Sequence, residues 1–283
     1  MIFVNEEHDG IMICLVRDIS VYYEEYGKGK PVLFIHGSHV DHRMMVDPFE
    51  PIFNEKQGYR RIYLDLPGRG KTPPASWIKN SDNILEIVMD FIDAIIGDEN
   101  FLLAGCSYGG YISLGLICKM EHRIDGVLLL CPQIDPREDE CLPDKQIIYK
   151  SEKTDLEVMS SDTDKFYLNM TVIASPQTFD KWQTIIAPAL QIADGEFISN
   201  YNDWYSDDFH RSVSNVVFDK PSCILTGRQD NITGYRIANE LVERFTRATF
   251  AILDCAGHML QAERESLFGQ LVKDWTDRVE QYS

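Results

Sequence analysis

The chain has 283 residues, with 27 Lys and Arg against 45 Asp and Glu, a formal charge of −18 and a pI near 4.7. That balance excludes a nucleic-acid binder built on a broad basic surface. With 44% apolar and 25% charged residues the composition is that of a folded globular protein, and the length allows either one large α/β unit or two domains of about 150 residues. The N-terminal MIFVNEEHDG lacks the basic-then-apolar pattern of a secretory signal, and no apolar run approaches the ~18 residues a membrane helix needs. A cytoplasmic protein with no membrane association is expected. Cysteines at 14, 106, 118, 131, 141, 223 and 255 show no Cys-x-x-Cys spacing, which argues against a disulfide framework and a structural zinc site.

Ile11 to Arg17 and Ser20 to Tyr26 read as an antiparallel pair of strands split by Asp18. Pro31 to Ile35 is a short apolar strand ending at His36-Gly37, Phe49 to Gln57 fits a short helix, and Arg61 to Leu66 is the next strand. Ile84, Ile87, Val88, Phe91 and Ile95 recur at helical spacing, with Ser81 or Asp82 as N-cap and Gly97 as the stop. Phe101 to Ala104 is a strand, Tyr111 to Met120 a helix, and Val127 to Cys131 a fully apolar strand of the kind a parallel sheet buries on both faces. From Asp135 to Ser214 strand-like runs vanish and helical patterns take over, around Asp164 to Ala174 and Pro176 to Ile192. Strand signals return at Cys223 to Thr226 and Thr249 to Leu253, with helices at Tyr235 to Phe245 and Glu263 to Val279. The expectation is therefore one α/β core, 1–134 and 215–283, interrupted by a helical cap at 135–214.

The strongest chemical signal is Phe101-Leu-Leu-Ala-Gly105-Cys106-Ser107-Tyr108-Gly109-Gly110-Tyr111, a strand feeding Gly-x-Ser-x-Gly and then a helix. A serine on so sharp a turn needs neighbours without Cβ atoms two positions either side, and the turn aims the Tyr108 N–H at a developing oxyanion. A hydroxyl is a poor nucleophile near neutral pH, so it needs a base and the base an orienting acid. His258, in Asp254-Cys-Ala-Gly257-His258-Met259, follows one strand, and Asp230, in Gly227-Arg228-Gln229-Asp230-Asn231, follows the strand before it. Asp135, after Val127 to Cys131, competes with Asp230 for the acid's role. The loop His36-Gly37-Ser38-His39 offers the Ser38 N–H as a second oxyanion donor, with His36 organising the loop. A metal on His36, His39 and His42 is not expected, since no acidic ligand is fixed by helix spacing.

Taken together, His36-Gly37-Ser38, Asp65-Leu-Pro-Gly68-Arg-Gly70-Lys-Thr72, the turn at 105–109, Gly227-Arg228-Gln229-Asp230 and Gly257-His258 with Glu263 after it resemble an α/β-hydrolase of the capped type, the group that includes proline iminopeptidases, carbon–carbon bond hydrolases, epoxide hydrolases and many small esterases. The resemblance implies a mostly parallel eight-stranded sheet, a cap after the sixth strand, no cofactor, and a structural role for Asp65 to Thr72. Ser107 stands where haloalkane dehalogenases and epoxide hydrolases carry aspartate, which disfavours those chemistries. Tyr108 replaces the tryptophan typical of proline iminopeptidases, and Glu265 a frequent proline.

The pocket is expected between the carboxyl edge of the sheet and the cap. Two or three of the cap's aromatics should line it, with Trp182, Tyr201 and Trp204 as candidates, the others forming cap core. The resulting expectation is a carboxylesterase-like serine hydrolase acting on a small ester, thioester, amide or activated carbon–carbon substrate, an aminopeptidase-like activity staying open. The alternatives are an acyltransferase with the same residues and a non-catalytic small-ligand-binding protein of the same fold. The net charge favours neutral or cationic substrates. Oligomeric state is open, a homodimer being the base-rate choice.

Overall fold

The computed structural model describes residues 12–135, 142–143, 149–150, 162–201 and 204–282. Ile11 and the remaining parts of 135–214 lie outside the described residues. The N-terminal lead is a hairpin of β1 (Met12–Val16) and β2 (Ile19–Gly27), paired antiparallel from Met12–Tyr23 to Val16–Ile19. β3 (Lys30–Ile35), α1 (Arg43–Asn54), β4 (Tyr59–Leu64), α2 (Ser81–Ile95), β5 (Phe101–Cys106), α3 (Tyr108–Met120) and β6 (Ile124–Leu130) then alternate. Between β6 and the next strand of the main sheet the chain leaves it. There it forms β7 (Tyr149–Lys150), α4 (Asp162–Met170), β8 (Ile173–Ala174), α5 (Pro176–Lys181), a π-helical stretch at Trp182–Ile186, α6 (Ala187–Ile192), α7 (Gly195–Asn200) and α8 (Asp207–Ser214). β9 (Ser222–Gly227), β10 (Ala248–Leu253), α9 (Leu260–Glu263) and α10 (Glu265–Tyr282) complete the fold.

The main sheet has eight strands in the order β1-β2-β4-β3-β5-β6-β9-β10. β2 meets β4 antiparallel, and every pairing from β4 to β10 is parallel. Parallel strands need crossovers that cover both faces, so the inner strands read as unbroken apolar runs. Alternation still assigns each residue to a layer. Leu33, Ile35 and Leu103 pack with Ile84, Val88, Phe91 and Ile112 on one face, whereas Val32, Phe34, Leu102 and Ala104 pack with Phe49, Phe53, Phe268 and Trp275 on the other. No helix among the described residues is long and apolar enough to cross a membrane.

Several local expectations change. α2 is capped by Asn80, whose side chain accepts from Asn83 N, one residue ahead of Ser81. α1 starts at Arg43 despite Pro48 and Pro51 inside it, because Asp41 and His42 carbonyls accept the first-turn N–H groups and Met44 and Met45 bury a turn earlier than the prolines suggest. The segment 235–245 carries only a 3₁₀ turn at Ala238–Leu241, not a long helix, since Phe218 N donates to Arg244 O and Thr246 N to Phe218 O, drawing the chain's end out of helical register. Strand structure also persists between β6 and β9, where Tyr149–Lys150 pairs parallel with Ile173–Ala174.

Candidate active site

Parallel strands deliver their following loops to one sheet edge, so the residues after β3, β5, β9 and β10 converge. Ser107 is the residue between β5 and α3, with φ of +53° and ψ of −118°, a conformation that side-chain-bearing residues rarely adopt. It holds because the flanking glycines let the backbone close on itself. A Cβ at Gly105 would overlap the Gly109 carbonyl, and one at Gly109 would overlap the Ile35 carbonyl. Ser107 N donates to Leu130 O at 3.0 Å, and its carbonyl accepts from Gly110 N at 2.9 Å and Gln133 N at 3.0 Å. Tyr108 is the first residue of α3, where a backbone N–H has no intrahelical acceptor.

His258 and Asp230 meet in the interior: Nδ1 lies 3.0 Å from Asp230 Oδ2, and the side chains are 4% and 0% exposed. Asp230 Oδ1 accepts from Ile232 N at 2.9 Å and Thr233 N at 3.2 Å, an Asx-type turn, and Oδ2 accepts from Thr233 Oγ1 at 2.9 Å. Burial works against ionising this carboxyl, yet its pKa is lowered, because the adjacent imidazole and these donors favour the charged form. Asp135 faces a different imidazole, His210 Nε2 at 3.1 Å, whose Nδ1 lies 3.0 Å from Tyr111 Oη.

Ser107 and His258 line one cavity of about 320 Å³. Gly37, Ser38 and His39 complete its polar end, and its walls are Val40, Met44, Phe166, Met170, Ile186, Leu190, Ile232 and Met259. No Asp, Glu, Lys or Arg occurs among these lining residues. Among the described residues Ser107 Oγ has no hydrogen-bond partner, and contacts of this kind commonly tighten only when substrate is bound. Trp182 lies buried between Phe166 and Tyr167, with ring centroids 5.9 and 5.6 Å away, and does not line this cavity. Tyr201 lines a separate cavity of about 390 Å³ beside Pro74 and Lys79, and the Trp204 carbonyl accepts from Ser81 N at 3.1 Å. The aliphatic and methionine lining escaped sequence reading because helical periodicity reports a buried face without saying whether protein or an open cavity covers it.

The three histidines between β3 and α1 have separate partners. His36 Nε2 accepts from Leu66 N at 3.0 Å and Nδ1–H donates to Gly37 O at 2.7 Å, which fixes a neutral ring, and burial lowers its pKa to about 4. His39 Nδ1 lies 2.9 Å from Ser38 Oγ, and His42 is bracketed by Asp65 and Glu24. Two clusters, Cys131–Asp230–His258 and Asp41–His42–Asp65, bring metal-competent atoms within 4.8 Å. In each the carboxylate already accepts several protein donors, including the imidazole, which leaves it poorly disposed toward a cation.

Glu263 closes α9, and nothing local in the sequence marks its partners. Its carboxylate accepts from Gly257 N at 2.6 Å, from Ile173 N at 2.8 Å and from Val172 N, while His258 N donates to Met170 O at 3.1 Å. The loop carrying His258 is thus tied directly to the segment between β6 and β9.

This architecture has known counterparts. The chain superimposes on the crystal structure of an alpha/beta superfamily hydrolase from Oenococcus oeni PSU-1 with a TM-score of 0.85 and 32% identity, covering 92% of this chain and 96% of that one. It is 24% identical over 281 residues to the AB hydrolase superfamily protein YisY of Bacillus subtilis (strain 168), covering 92% of this chain and 96% of the relative. Over 106 residues, 38% of this chain and 39% of the relative, it is 30% identical to the pimeloyl-(acyl-carrier protein) methyl ester esterase of Legionella pneumophila (strain Corby). The family profile described as alpha/beta hydrolase family matches residues 32–268, and with the sheet order and the strand-to-helix turn at Ser107 this places the chain in the alpha/beta hydrolase family.

Proposed function

We propose that the protein is a serine hydrolase that cleaves a small, uncharged ester through an acyl-enzyme, with Ser107 as nucleophile, His258 as base and Asp230 as the orienting acid. The observation that carries this reading is the 3.0 Å His258–Asp230 pair opening onto the same apolar cavity as a serine held at φ +53°. In the first half-reaction Ser107 Oγ attacks the carbonyl carbon as its proton passes to His258 Nε2, the nitrogen turned away from Asp230. Oxygen charge develops against the N–H groups of Ser38 and Tyr108, and collapse expels the alcohol, which takes the proton from Nε2. Water then repeats the sequence on the acyl-enzyme and releases the acid.

The uncharged walls favour neutral acyl groups, since an ionised group would lose its hydration with no countercharge among the described lining residues. The similarity to a methyl ester esterase supports ester over amide cleavage. In this reading residues 135–214 act as the cap that closes the cavity, contributing Phe166, Met170, Ile186 and Leu190. The test pairs Ser107→Ala with a p-nitrophenyl butyrate assay and fluorophosphonate labelling followed by mass spectrometry. Loss of both turnover and label is the expected result; a label retained elsewhere with turnover intact would overturn the assignment. Adding a short alcohol to the assay and analysing products distinguishes hydrolysis from acyl transfer.

A further inference from the structure

The loop Asp65 to Thr72 has no part in the reaction described above, yet it buries a guanidinium behind the cavity. Arg69 is 0% exposed. Its Nη1 donates to Pro67 O at 2.8 Å and its Nη2 to Tyr201 Oη at 2.5 Å, with Ser38 Oγ 3.5 Å from the same Nη2. The guanidinium also lies over two rings, Tyr108 at 5.4 Å and Tyr201 at 5.5 Å. Taking such a charge out of water costs several kcal/mol unless its surroundings compensate. Here the surroundings are the two residues assigned as oxyanion donors and one residue of the segment between β6 and β9.

We propose that Arg69 is the positioning residue of the oxyanion hole, holding the Ser38 loop and the start of α3 at a fixed separation, and that Tyr201 makes this brace depend on docking of α7. The inference rests on the assignment of Ser38 and Tyr108 as oxyanion donors. Three further contacts support it. Ser81 Oγ lies 2.8 Å from Tyr108 Oη, so the Tyr108 ring is held at its tip as well as on its face. Asp194 N donates to Gly68 O at 2.9 Å, joining the start of α7 to the residue before Arg69. Phe197 of α7 packs on Tyr201 with ring centroids 5.0 Å apart, fixing the phenol that receives the guanidinium. A planar fork with an oxygen at each end and two tyrosine rings packed against it transmits position in a way a lysine ammonium cannot.

A positioning role predicts a loss confined to the transition state. Arg69→Met should lower kcat about 100-fold, the size of losing one oxyanion donor, and Tyr201→Phe roughly 5- to 10-fold, both with KM within about twofold of wild type. The affinity of phenylboronic acid, which forms a tetrahedral adduct on the serine hydroxyl, should fall in parallel with kcat. Arg69→Lys should recover little. Tyr201→Phe, a deletion of one oxygen, decides the matter should Arg69→Met fail to fold. If both variants lower thermal stability but leave kcat and boronate affinity at wild-type values, Arg69 is merely structural and the proposal falls. Fluorophosphonate labelling of Ser107 separates this from failure of the underlying reading: a label on Ser107 in wild type, absent in Ser107→Ala, upholds the nucleophile whatever Arg69 does, whereas its absence from wild type removes the site and this inference together.

Discussion

Among the described residues, two imidazole–carboxylate pairs with both side chains buried are nearly alike by distance and burial. His42 Nδ1 lies 2.8 Å from Asp65 with the side chains 5% and 0% exposed, and His258 Nδ1 lies 3.0 Å from Asp230 with 4% and 0%. What separates them is the second nitrogen. His42 Nε2 meets Glu24 at 3.1 Å, so both ring nitrogens face carboxylates. Burial by itself would depress this imidazole, but the two acids raise its pKa to about 9 and lock the ring as a cation. His258 spends one nitrogen on Asp230 and lines a cavity shared with a serine. A carboxylate–histidine pair is therefore diagnostic of chemistry only when the far nitrogen looks onto space a substrate can enter.

The largest expected effect tests the open pair. Replacing His258 with Gln should cost roughly 10⁴-fold or more in kcat, as read by steady-state kinetics on protein that calorimetry shows to be folded. Asp230→Asn preserves shape but misplaces the imidazole tautomer, and a fall of about 10³- to 10⁴-fold in kcat is expected on the same substrate. If either variant loses less than tenfold, the two pairs are equivalent after all. The closed pair should behave in the opposite way. His42→Gln strands the Asp65 charge and is expected to cost about 3 kcal/mol of stability in denaturant titrations while leaving kcat within a few-fold.

The smallest effect is in pH. The folded pKa of His42, about 9, lies above the ordinary histidine value near 6.5. Its contribution is full below about pH 6.5 and is lost as pH rises toward 9. The stability gap between wild type and His42→Gln should narrow between those limits. His36 works in reverse, since its folded pKa of about 4 lies below the ordinary value. What it contributes is present above about pH 6.5 and lost as pH falls through 4, so a His36 variant should come closest to wild type under acid conditions.

Legibility in the sequence followed the strength of local constraint. β3, β5 and β6 were readable because burial on both faces leaves unbroken apolar runs, and Ser107 because only glycine tolerates the contacts two residues either side of it. Asp230 sits in an Asp-x-x-Thr turn whose side chain satisfies its own backbone, a purely local motif. Contacts made across the chain were not readable. The 235–245 segment has helical spacing at Ile237, Leu241 and Phe245, but pairing with Phe218 over 27 positions overrides it. Trp182, Tyr201 and Trp204 show the same limit: their size marks them as buried without saying against what, and the cavity at Ser107 takes its walls mostly from aliphatic and methionine side chains. Arg69 in the sequence is one basic residue in a glycine-rich loop, and its burial depends on Tyr201 Oη, 132 positions away.

The Glu263 carboxylate has a thermodynamic consequence. One acidic group holds the amide protons of Val172, Ile173 and Gly257, from two parts of the chain far apart in sequence. Neither part can fray alone without giving up a charge-assisted bond to a buried anion, so the loop bearing His258 and the Val172–Ile173 strand end belong to one cooperative unfolding unit. These three amides should then share one protection factor against exchange with solvent deuterium, larger than that of the neighbouring surface turns.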